Sequence, residues 1–122
     1  MKKNKNILML FCGILVLACA LFFQKPEETT EVSVQYTFRS EELLEEHYHK
    51  HGEDMGFDSK EEYVEAANAV IEDPDVLHKT EQEDGDDIYY LEDTNEFVVV
   101  STDGYLRTYF YPDAGKKYYD KQ

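Results

Sequence analysis

Residues 45–57 read EEHYHKHGEDMGF, and His47, His49, Lys50 and His51 crowd five consecutive positions. His47 and His51 are four apart, so a helix presents both on one face, with Lys50 beside them and His49 turned elsewhere. As a metal site this His-x-x-x-His pair is half complete. Zinc takes a third protein ligand, no cysteine is available nearby, and no glutamate sits as it does in His-Glu-x-x-His. Neither a metal nor any other cofactor is therefore expected. A second reading is a solvated helix end that does no chemistry. A third is metal-free RNA cleavage, in which a 2′-hydroxyl attacks the neighbouring phosphate. That reaction needs a base, an acid and a cation to offset charge on the phosphorane. Histidine titrates near neutrality and suits the first two tasks. His51, His47 and Lys50, with the hydroxyls of Ser101 and Thr108, are the candidate catalytic residues. Arg107, Tyr111 and Lys79 are candidates for holding the substrate. Composition does not show that these side chains converge.

The elements that must position them are legible in outline. VSVQYTF alternates Val32, Val34, Tyr36 and Phe38, which predicts a strand. Ser40 caps a helix through EELLEEHYHKH, with Glu41 and Glu42 in its first turn and Gly52 as its C-cap. Ser59 and Glu62 form a capping box for a second helix, whose apolar stripe is Tyr63, Ala66, Ala67 and Val70 and which Asp73-Pro74 stops. Beyond Val76, VLHKTEQ, DIYYL, EFVVVS and YLRTYFY read as strands separated by turns. The expected class is α+β, two helices on an antiparallel meander, preceded by a hydrophobic N-terminal helix. Asp103-Gly104 suits a two-residue hairpin turn. In that register Ser101 opposes Leu106 and Val99 opposes Thr108. Phe97, Val99, Ser101, Leu106, Thr108 and Phe110 then form the helix-covered face, and Tyr105, Arg107, Tyr109 and Tyr111 the other. An odd-length loop would reverse the relation of the strands.

The first 23 residues differ in kind. Lys2, Lys3 and Lys5 precede an uncharged run, Ile7 to Phe23. As a helix those residues span roughly 25 Å, at the short end for a bilayer. Both cysteines lie in this run, so disulfides and thiolate sites are excluded from residues 24–122. Val16-Leu17-Ala18-Cys19 resembles a lipobox, which makes Cys19 a lipidation candidate. Ala18-Cys19-Ala20 equally fits a signal-peptidase site. The basic flank places the rest of the chain outside the cytoplasmic membrane, anchored through residues 7–23 or secreted. The expected organisation is a signal or anchor over 1–23, a linker over 24–31 and one domain over 32–122. All 27 acidic residues but only nine of the 12 basic ones follow Gln24, a balance of −18. Such a surface repels nucleic acid non-specifically.

HYHKHGEDMGF, YVEAANAVI, TNEFVVVSTDGYLRTYFYP and KKYYDKQ, in that order, resemble small bacterial and phage-associated toxin nucleases. These form the superfamily that joins barnase, EndoU, colicin and RelE-type RNases, and the likeness points to its colicin D-like tRNase branch. The resemblance implies a metal-independent endoribonuclease acting on RNA, with tRNA as substrate and an immunity protein as partner. It makes His51 the catalytic histidine and Lys50 its phosphate-binding neighbour. Ser101 would touch the phosphate, and Thr108 and Arg107 would line the same cleft. One departure is Tyr48, where the colicin D pattern has a second lysine; the sequence leaves open whether His47 compensates. The competing expectation is a non-enzymatic surface protein whose acidic, tyrosine-bearing face binds a basic envelope partner. The sequence is silent on oligomeric state.

Overall fold

The two serine caps form where the sequence places them. In the computed structural model, which describes residues 33–122, the Ser40 hydroxyl accepts from Leu43 N and starts helix α1 (Glu41–His47). The Ser59 hydroxyl accepts from Glu62 N and starts α2 (Lys60–Glu72). Ile7–Phe23, Cys19 and the expected linker lie outside the described residues. Among the described residues no helix is long and apolar enough to cross a membrane.

Four strands come next: β1 (Leu77–Thr80), β2 (Asp87–Leu91), β3 (Glu96–Val100) and β4 (Leu106–Phe110). They pair antiparallel in the order β1-β2-β3-β4. The protein is therefore α+β, with its N-terminal helices packed on a four-stranded meander. Beneath α2, Tyr63, Val64, Ala67 and Val70 pack against Leu91, Val98, Val100, Leu106 and Tyr109. A short C-terminal helix, α3 (Lys116–Asp120), covers the other face, where Tyr119 joins Ile88, Tyr90 and Phe97. With both faces covered, β3 reads as the continuous apolar run FVVV.

Three expectations need correction. Residues 33–38 form no strand. The Asn68 carboxamide, buried on α2, accepts from Gln35 N and Tyr36 N and donates to Tyr36 O. These backbone groups are satisfied by a side chain instead of a ladder, and only one parallel bridge, Phe38 with Leu106, reaches β4.

Gly52 is not the C-cap. α1 widens into a π-helical turn over Tyr48–Gly52, closed by Glu53 N donating to Tyr48 O. The left-handed residue is Gly56, at φ +90°. Gly52 serves close approach, since a Cβ there would lie 2.5 Å from Tyr48 Cδ2 and 3.3 Å from Tyr63 Cδ2.

The β3–β4 loop is odd. Ser101 pairs with Tyr105 across Thr102-Asp103-Gly104, with Gly104 at φ +88°. A bulge then leaves Arg107 without an opposing residue, because Val100 pairs with Leu106 and Val99 with Thr108. The Val99–Thr108 and Phe97–Phe110 pairs stand, but Leu106 moves to the face of Val98, Val100 and Tyr109. That is the face α2 covers, and it is the opposite of the one expected. Tyr109 is fully buried there, donating its hydroxyl to Glu96, so the expected exposed tyrosine face loses its centre.

Candidate functional site along strand β4

The last residue of α1 and the π-helical turn that follows it aim His47 and His51 at β4, the edge strand. The His47 ring stacks on Phe38 (5.0 Å between centroids) and on His51 (6.1 Å). His51 in turn stacks on Phe110 (5.2 Å) at the end of β4. Tyr48, between them in sequence, turns inward: its ring packs on Tyr63 and its hydroxyl donates to Phe57 O. Tyr48 is therefore a structural residue. His49 points away and meets Glu53 at 2.8 Å, and Lys50 is exposed.

Burial pushes the pKa of His47 down. The Glu46 carboxylate opposes that shift and the Lys50 ammonium adds to it. His51 is lowered too, first by burial, then by Lys50 and His47, with Asp54 opposing. Both imidazoles therefore favour the neutral form at neutral pH, which is the state a general base needs. His47 Nδ1 is buried and has no hydrogen-bond partner among the described residues.

The remaining candidates fall into three concavities bordering β4. The largest, about 780 Å3, holds His47, Ser101 and Arg107 together with Arg39, Asp84, Asp86 and Asp103. Ser101 is mostly occupied: its hydroxyl donates to Asp103 (2.5 Å) and accepts from Tyr105 N. Arg107 donates to the buried Asp86 (2.5 Å) and lies 3.7 Å from Asp84. Arg39 likewise meets Asp103 at 2.5 Å. A second concavity holds His51 and Tyr111 with Asp54, Met55, Phe110 and Asp113. Thr108 lines a third, with Arg107, Val99 and Tyr118.

Lys79 is not brought to the histidines. It lies on β1, at the far edge of the sheet, with its ammonium 4.2 Å from the Tyr119 ring centre. Lys79 on β1 and Arg107 on β4 are separated by two strands.

Glu81, Asp84 and Asp86 place one carboxylate oxygen each within 4.8 Å of one another. This is the group best arranged for a cation among the described residues. The Arg107 guanidinium already supplies positive charge to it.

Sequence reasoning missed Phe38 and Phe110, the walls of the histidine stack, and the carboxylates that bind both arginines. The alternation VSVQYTF and the RTYFY run were the available signals for the two phenylalanines. Nothing in the acidic stretch EQEDGDD distinguishes Asp86 from its neighbours.

No family model matches the sequence, and no match is found among curated proteins. Among solved structures the chain is similar to a ribonuclease from Escherichia coli complexed with its inhibitor protein. The identity is 21%, the TM-score 0.51, and the likeness covers 63% of this chain and 95% of that one. At that identity the likeness is one of fold.

Proposed function

We propose that the domain is a metal-independent endoribonuclease of the colicin D-like, barnase–EndoU–colicin–RelE type, acting on RNA such as tRNA. The observation that carries this reading is the stacked His47–His51 pair beside Lys50, held against the edge strand of a ribonuclease-like fold. A neutral histidine takes the 2′-hydroxyl proton, and the 2′-oxygen bonds to phosphorus as the bond to the 5′-oxygen breaks. The other histidine, in the protonated minority form that its lowered pKa leaves at neutral pH, delivers a proton to that leaving oxygen. Lys50 offsets the charge of the phosphorane. The products are a 2′,3′-cyclic phosphate and a free 5′-hydroxyl. His51 is the primary acid or base because it reaches the open concavity beside Tyr111. The proposal includes export and anchoring through Ile7–Phe23, with Cys19 as a lipidation site. A protein inhibitor is its natural partner, as the similar ribonuclease is complexed with one.

The test compares the full chain in detergent with its His51→Ala variant on total tRNA in EDTA. Fragments ending in 2′,3′-cyclic phosphate from the native chain alone are expected, with circular dichroism showing both folded. Equal cleavage by the variant removes His51 from this role.

A second reading rests on the acidic balance of −18 after Gln24, which suits a module that binds a basic envelope partner.

A further inference from the structure

The concavity next to His51 has a composition unlike that of the main cleft. Its lining is His51, Met55, Phe110, Tyr111, Asp54 and Asp113, with no lysine or arginine. The lining itself offers no cation, whereas the neighbouring cleft contains two guanidinium groups. The lining supplies aromatic surface instead: Tyr111 is 43% exposed, and Phe110 lies under His51. Asp54 and Asp113 are exposed and make no ion pair or side-chain hydrogen bond among the described residues. Carboxylates accept hydrogen bonds and cannot donate them when ionised. Aromatic surface beside free acceptors is suited to a nucleobase whose edge carries N–H donors.

We propose that this concavity is a nucleobase subsite, which stacks an unpaired base on Tyr111 and uses Asp54 and Asp113 to select bases with an exocyclic amino group. Guanine, with two adjacent N–H donors, fits a carboxylate best. Cytosine and adenine each offer one amino group. Uracil presents carbonyl oxygens at the corresponding position and is repelled by the carboxylates. The base must be unpaired, because a paired base has its amino group engaged and its face covered. The proposal rests on the ribonuclease reading for its meaning, but nucleotide binding can be measured without cleavage.

The full chain in detergent is titrated with GMP, CMP, AMP and UMP, following the imidazole proton resonances of His51. Cleavage of short single-stranded oligonucleotides that differ at one base is measured in parallel. Binding of GMP at least about tenfold tighter than UMP is expected, since unpaired polar groups in such a site discriminate strongly. Asp113→Asn, which adds donors that can face uracil oxygens, should bring the two within about twofold. Tyr111→Ala should weaken all four alike by about fivefold or more, the loss expected of base stacking. Equal affinity for all four nucleotides, unchanged by Asp113→Asn and Asp54→Asn, overturns the subsite. Selective nucleotide binding without cleavage of any RNA keeps the subsite and removes the ribonuclease reading. Cleavage without base preference does the reverse.

Discussion

Replacing Gly52 with alanine tests the close packing that holds the histidine turn. The new Cβ would stand 2.5 Å from Tyr48 Cδ2 and 3.3 Å from Tyr63 Cδ2. Tyr63 cannot yield: it is fully buried, stacked on Tyr109 and hydrogen bonded to its carbonyl. Tyr48 must move instead, losing its bond to Phe57 O and part of its contact with Tyr63. Overpacking of this kind costs about 1–3 kcal/mol, and the lost hydrogen bond adds about 1 kcal/mol. Alanine recovers about 1 kcal/mol through its helix propensity. The net loss should be about 2 kcal/mol, a fall in Tm of roughly 8–16 °C for a domain of this size. Thermal unfolding followed by circular dichroism reads it directly. Tyr48→Ala removes the obstacle, so Gly52→Ala in that background should cost less than about 0.5 kcal/mol. A left-handed helix cap at Gly52 would instead make alanine costly whether or not Tyr48 is present. Equal losses in the two backgrounds would refute the packing argument.

Asn68→Ala should destabilise the domain by about 3 kcal/mol, because three backbone groups of Gln35 and Tyr36 lose their partner; a loss below about 1 kcal/mol in urea unfolding contradicts that role. His47 and His51 have lowered pKa values in the folded chain, so between their folded values and the ordinary 6.5 the unfolded chain binds more protons. Their contribution to stability is complete above about pH 6.5 and is lost as pH falls below it. His47→Phe keeps the stack on Phe38 and should flatten the decline in Tm between pH 7 and pH 5. Parallel declines in the two proteins rule out His47 as its source.

What was legible in the sequence is what neighbouring residues decide. The Ser40 and Ser59 caps and the Asp73-Pro74 stop each depend on a few adjacent side chains, as does the presence of a turn at Asp103-Gly104, though not its length. The pairing of His47 with His51 comes from helical spacing and survives the widening of that helix into a π-helical turn. Residues 33–38 alternate like a strand, but a ladder needs a partner, and Asn68, more than 30 residues later, takes the hydrogen bonds. The face of Leu106 follows from the three-residue loop before it, the Val99–Thr108 pair is kept by a bulge at Arg107, and no residue type marks a bulge of this kind. The helix Lys116–Asp120 is too short to show a period. At the site, Phe38 and Phe110 reach the histidines only through the fold, and Arg107 meets Asp86 across 21 residues. Long-range pairings of this sort have no local signature.

The acidic surface bears directly on the choice between an enzyme and a binding module. The residues after Gln24 carry a balance of −18, and the arginines of the main cleft are held by Asp103, Asp84 and Asp86. Beside the histidines, Lys50 is the cation that makes no ion pair among the described residues. A single strand that engages this site therefore displaces counterions from about one phosphate. The expected slope of log affinity against log salt is near −0.7, against about −4 for a nuclease with six phosphate contacts. Between 50 and 150 mM salt the affinity for RNA should fall only about twofold, and screening of the long-range repulsion reduces even that. A basic partner steered by the same field behaves oppositely, its association slowing about tenfold or more over that range. Measuring binding of a single-stranded oligonucleotide and of a lysine-rich peptide across the same salt series separates the two readings. RNA binding that collapses with salt would mean that phosphate contacts are made elsewhere, through cations other than Lys50. A flat RNA curve beside a steep peptide curve leaves the histidine site as the place where RNA is held, by contacts that depend little on charge.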